Sequence, residues 1–138
     1  MKTVFVDANV LVSGIFFDGP EAKLLDMRRM RLITAEVCED ELAEVAVRKA
    51  DAFGVSKEGA REMLEGALVD IDVVPEGKCD GRYGEAAEVV GEGNDAEVLA
   101  CVLSVEPDYF VTGDEDFHVE GVREMVNVVE TTDVLGSV

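Results

Sequence analysis

Five short apolar runs recur along the chain, "TVFV", "RLIT", "VDIDVV", "DYFV" and "MVNVV", and segments of helical period lie between them. Runs of this length, rich in Val, Ile, Thr and Phe, read as strands, and strands that alternate with helices build a mainly parallel sheet. The expectation is a three-layer α/β/α sandwich, one domain over residues 1–138. Ligands of such folds sit beyond the carboxyl ends of the strands, often where the strand order switches.

The boundaries follow from local chemistry. Pro20 suits the first turn of a helix through "EAKLLDMRRM", and Thr34 is placed to cap "AEVCEDELAEVAVRK". Ser56 caps "SKEGAREMLEGAL", where Lys57 and Arg61 read as surface charges, and Pro75 ends "VDIDVV". The glycine-rich "EGKCDGRYGE" reads as a loop, with ordinary loop roles for Cys79, Arg82 and Tyr83 favoured over a place on a site rim. "GEAAEVVGEG" is a helix weakened by its glycines, Gly93 or Asn94 caps "DAEVLACVLSVE", and "TTDVLGSV" is a short terminal element.

Composition narrows the chemistry. The net charge is −19, with 7 basic and 9 acidic residues in 1–50 but 5 and 22 in 51–138. Such a surface repels nucleic acid at long range and favours cations, cationic partners or a salty environment. Arg28, Arg29 and Arg31 form the one compact basic patch. Cys38, Cys79 and Cys101 form no CxxC pair, so neither a disulfide framework nor a thiolate zinc site is indicated. Cys38 and Cys101 read as small buried residues. A single histidine, His118, excludes a multi-histidine metal site within one chain and is expected at the surface. Asp7 interrupts the first apolar run and no cleavage pattern follows, so a signal peptide is not expected. No stretch approaches the roughly 18 apolar residues of a membrane span. A cytoplasmic location without membrane association is expected.

Against this acidic background, two carboxylates have the wrong helical phase for a solvated face. Glu41 falls among Val37, Cys38, Leu42 and Val45, and Asp95 among Val98, Leu99, Val102 and Leu103. An inward carboxylate is costly unless its charge is satisfied. Asp7 and the "TGDED" turn each follow a strand, so one sheet edge would gather Asp7, Glu41, Asp95, Asp114 and Asp116. Carboxylates so close repel one another unless a cation is present, and an all-oxygen set selects Mg²⁺ or Mn²⁺. The chemistry that suits is metal-assisted phosphodiester hydrolysis. Asn9 and Ser13 are placed to support Asp7 or a water, and Thr112 to support Asp114 or a phosphate. Each acid also has a bland reading as a turn, a cap or a solvated side chain. "VDANV" lacks the second aspartate of an aspartyl-phosphatase motif, "GDEDF" lacks EF-hand spacing, and no GxxxxGK[ST] stretch is present.

These residues resemble the PIN-domain family, small metal-dependent ribonucleases that include VapC-like toxins of prokaryotic toxin–antitoxin pairs. The match lies in "VFVDANVLVSG", in Glu41, in "NDAEVLACV" and in "YFVTGDEDF", and it spans essentially the whole chain. The resemblance implies Mg²⁺ or Mn²⁺ at Asp7, Asp95, Asp114 and Asp116, and catalytic roles for Asp7, Glu41, Asp95 and Asp114. It also implies cleavage of single-stranded RNA, a homodimer and, for toxins, inhibition by a small antitoxin. The departure is charge, since few basic residues are left to line a nucleic-acid groove. Two other readings stand beside it: a structure-selective DNA nuclease or phosphohydrolase, and a metal- or partner-binding module without turnover.

Overall fold

The structure is a computed structural model that describes residues 1–136. Five strands, β1 (Lys2–Val6), β2 (Met30–Ala35), β3 (Ile71–Val74), β4 (Tyr109–Val111) and β5 (Val128–Val129), form one sheet in the order β3-β2-β1-β4-β5. Every pairing is parallel. The chain builds outward from β1 through β2 to β3, then returns to the other side of β1 for β4 and β5. The order therefore switches between β1 and β4, and a crevice is expected at their carboxyl ends.

The helices are α1 (Ala8–Phe16), α2 (Pro20–Leu25), α3 (Glu36–Arg48), α4 (Lys57–Leu68), α5 (Tyr83–Val90), α6 (Asn94–Val105), α7 (Glu120–Arg123) and α8 (Thr131–Gly136). The two-residue period of the strands sorts side chains between two cores. Phe5, Ile33, Phe110 and Val128 face a core completed by α5, α6 and α7. Val4, Val6, Leu32 and Val111 face a second core, with Leu11, Leu24, Leu42, Leu64 and Val134 from α1, α2, α3, α4 and α8. The expected three-layer α/β/α sandwich is thus the observed architecture. Among the described residues no helix is long and apolar enough to cross a membrane.

Several boundaries differ from the sequence reading. The helix expected through Met30 stops at Leu25, because Met30 enters β2 and is buried there. Thr34 caps nothing: it is the fifth residue of β2, and its hydroxyl donates to the Val6 carbonyl at 2.7 Å. Ala35 takes the cap position of α3 instead. Ser56 caps α4 as expected, accepting from the Gly59 N–H at 2.9 Å. The glycine-rich loop contains a single 3₁₀ turn, Asp80–Arg82, that leads into α5. Between α5 and α6, Gly91 and Gly93 have φ of 82° and 121°, a region that disfavours side chains. The Tyr83 hydroxyl accepts the Gly93 N–H at 3.0 Å, so a side chain from α5 fixes where α6 begins.

Candidate metal centre

Asp7 is the residue at which β1 becomes α1. Its N–H extends the β1–β4 ladder by donating to the Val111 carbonyl at 3.1 Å, while its carboxylate caps α1. Only 5% of Asp7 is exposed, so the charge must be met by donors. Oδ1 accepts from the Ala8 N–H at 2.8 Å and faces the Cys38 thiol at 3.8 Å; Oδ2 accepts from the Thr112 hydroxyl at 2.7 Å. Burial still wins and raises the proton affinity of Asp7, with the neighbouring charge of Asp114 adding to it. The Cys38 thiol is pushed up to about 12, first by burial and then by Asp7. At neutral pH it is a protonated donor rather than a thiolate ligand.

Thr112 performs the equivalent task at the end of β4. Fully buried, it accepts the Asp114 N–H on its hydroxyl at 3.1 Å while donating to Asp7. One hydroxyl therefore joins the two strand-end acids across the switch point. The Asp114 carboxylate caps the following 3₁₀ turn, Glu115–Phe117, accepting the Asp116 N–H at 2.9 Å. Glu115 faces solvent, and buried Phe117 packs edge-to-face on Phe110 with centroids 5.1 Å apart. Asn9 does not touch the Asp7 carboxylate: its Oδ1 accepts the Gly113 N–H at 3.2 Å, tying α1 to the acidic turn. Ser13 lies farther along α1, where it lines a small cavity with Asn9, Thr112 and Thr131.

Asp95, in the first turn of α6, is half-buried while the helix behind it buries seven residues from Ala96 to Leu103. One carboxylate oxygen each from Asp95, Asp114 and Asp116 lies within 4.8 Å of the others. Such spacing lets one cation be shared, and the donors are all hard oxygens. Asp7 is outside this triple but close behind it. Burial, then Asp114, Asp116 and Asp7, raise the proton affinity of Asp95.

Glu41 requires a correction. The buried positions of α3 are Cys38, Leu42 and Ala46, whereas Val37 and Val45 are half-buried and Glu41 is exposed. The apolar stripe is thus centred one residue later than the phase argument placed it. Glu41 instead lines an open groove of about 590 Å³ that runs between α3 and α6, with Glu36, Asp40, Glu44 and Glu97 along it. It still senses the acids: partial desolvation, then Asp7, Asp95 and Asp114, raise its proton affinity. Buried Cys79 and Cys101 lie on the wall of the same groove.

The structure adds residues the sequence did not single out. Cys38 was legible only as a small buried side chain, yet its thiol meets Asp7. His118, expected at the surface, is half-buried, and its Nε2 meets the Thr112 carbonyl at 2.7 Å. The arginines give little cationic rim. Arg82 is paired with Glu85 at 2.6 Å, and Arg31 with Asp72 at 2.6 Å on the far edge of the sheet. Arg28 and Arg29 are exposed before β2.

Comparison with known proteins agrees with this geometry. The structure is similar to VapBC2 from Rickettsia felis, solved bound to a DNA fragment from its promoter. The TM-score is 0.70 at 16% identity, covering 93% of this chain and 98% of that one. It is also similar to VapBC-1 from nontypeable Haemophilus influenzae, with a TM-score of 0.64 at 17% identity, covering 94% and 98%. These likenesses concern the fold. No curated protein sequence matches the chain. The PIN domain family matches residues 5–136, a span that contains every acid of the cluster. This chain therefore belongs to the PIN domain family.

Proposed function

We propose that the protein is a metal-dependent endoribonuclease that hydrolyses phosphodiester bonds of single-stranded RNA, acting as the toxin of a toxin–antitoxin pair. The observation that carries this reading is the convergence of Asp95, Asp114 and Asp116 within 4.8 Å at the strand switch of a PIN domain. Asp95, Asp114 and Asp116 would hold Mg²⁺ or Mn²⁺, with Asp7 as the buried anion behind them. When bound, such an ion acts as a Lewis acid toward a phosphate oxygen and lowers the pKa of water. The remaining work falls to side chains. Thr112 fixes the orientation of Asp7 and Asp114. Glu41, open to the groove and raised in proton affinity, is suited to take a proton from the attacking water at its carboxylate.

The groove supports the partner assignment through charge. With seven carboxylates along it, Glu76 and Asp80 among them, it repels a free polyanion and suits a cationic peptide, as a small antitoxin would present. The two similar structures are VapBC assemblies by their descriptions, and we extend that pairing to this chain. A cytoplasmic homodimer completes the proposal.

Purified protein incubated with matched single-stranded RNA and DNA oligonucleotides, with EDTA, Mg²⁺ or Mn²⁺, tests it. RNA cleavage that needs the metal and is lost in Asp95→Asn is expected. Cleavage of DNA alone would move the function to a DNA nuclease. Metal binding without cleavage of either would leave a binding module, the reading favoured by the scarcity of unpaired basic residues along the groove.

A further inference from the structure

The segment "TGDEDFH", residues 112–118, carries two of the three clustered carboxylates, and one side chain joins its two ends. The His118 Nε2 lies 2.7 Å from the Thr112 carbonyl oxygen. A carbonyl only accepts, so Nε2 bears the proton and donates. Both the neutral Nε2–H ring and the imidazolium meet that demand; the neutral Nδ1–H ring does not.

Each end of this closure is itself held. Thr112 donates its N–H to the Val129 carbonyl at 3.2 Å, besides the two hydroxyl bonds that reach Asp7 and Asp114. The His118 N–H donates to the Glu115 carbonyl at 3.0 Å, and its carbonyl accepts from Arg123 Nη2 at 2.9 Å. Phe117, beside it, is locked into the core. Asp114 and Asp116 thus sit on a short turn that the histidine ring closes like a clasp. Resting on the metal-nuclease reading, we propose that His118 is a positioning residue. Its ring donates to the Thr112 carbonyl and holds the turn in the shape that brings Asp114 and Asp116 to Asp95. It acts through the main chain, so it has no need to bind the cation or exchange a proton with substrate.

His118 is the only histidine, so a nitrogen-15 imidazole spectrum of the intact metal-free protein reports one ring. Protonation at Nε2 is expected; a neutral ring protonated at Nδ1 overturns the proposal. Calorimetric titration with Mn²⁺ gives the second readout. His118→Ala should weaken affinity on the order of tenfold, the scale typical of groups that support metal ligands. His118→Gln, whose amide N–H can reach the same carbonyl, should recover most of it. Unchanged affinity in His118→Ala, or no recovery in His118→Gln, overturns the proposal. If His118→Ala does not fold, the tautomer and His118→Gln decide. If the wild type binds no Mn²⁺, the metal reading fails, and the tautomer still decides whether the clasp exists.

Discussion

Replacing Thr112 by valine removes one oxygen from the interior and should cost more than its size suggests. The hydroxyl donates to the buried Asp7 carboxylate at 2.7 Å and accepts the Asp114 N–H at 3.1 Å. A hydrogen bond to a charged acceptor contributes about 1.5–3 kcal/mol, and burial leaves no water to replace it. The Asp114 N–H lies nearer solvent, so its loss adds about 0.5–1 kcal/mol. Thr112→Val should therefore destabilise the metal-free protein by about 2–4 kcal/mol at neutral pH. Thr112→Ser, which keeps both bonds, should lose less than half of that. The pH dependence identifies the cause. The hydroxyl bond favours ionised Asp7, so its removal raises the folded-state proton affinity further and the deficit shrinks as Asp7 becomes protonated in acid. Urea unfolding at neutral and acidic pH gives both numbers. A deficit that is the same at every pH, or a valine variant as stable as the wild type, would refute the charged-acceptor reasoning.

Other consequences are equally direct. Asp7, Glu41 and Asp95 all have folded-state proton affinities above the ordinary carboxylate range, with burial the first cause in each. Between the unfolded and folded pKa the native state binds more protons, so stability falls as pH rises through that window. Thermal melts of metal-free protein should rise on mild acidification from neutrality, with a smaller rise in Asp95→Asn and little in saturating Mn²⁺. Manganese itself should raise stability at neutral pH by about 2.7 kcal/mol at one hundred times its dissociation constant, and Asp114→Asn should abolish most of that gain. Phe117→Ala should cost about 3–5 kcal/mol in urea unfolding, because a fully buried ring against Phe110 is removed, and it should weaken Mn²⁺ binding as the acidic turn loosens.

The sequence was most legible where period and chemistry agree. Strands β1, β3 and β4 lie where their apolar runs and terminal signals place them, and a strand end precedes both Asp7 and Asp114. Asp95 was readable because α6 is buried on nearly every side, which tolerates an error of phase. Glu41 shows the opposite case. On α3 the stripe was read across Val37, Cys38, Leu42 and Val45, but the valines are only half-buried and small Ala46 packs with Cys38 and Leu42, which turns Glu41 outward. The second strand hid its length because Met30 and Ala35, which flank "RLIT", carry weak strand signals until pairing with β1 and β3 supplies them. Contacts between distant segments, such as Cys38 with Asp7, have no local signature at all. His118 is near in sequence to its partner Thr112, but the fold alone shows that the ring turns back rather than outward.

The central claim is that one divalent cation is gathered by Asp95, Asp114 and Asp116. A crystal soaked in Mn²⁺ and measured at the manganese absorption edge tests it most directly. The account predicts an anomalous peak at coordination distance from all three carboxylates, in front of Asp7 and Thr112. A peak elsewhere on this acidic surface, or none at a concentration that supports RNA cleavage, would contradict it.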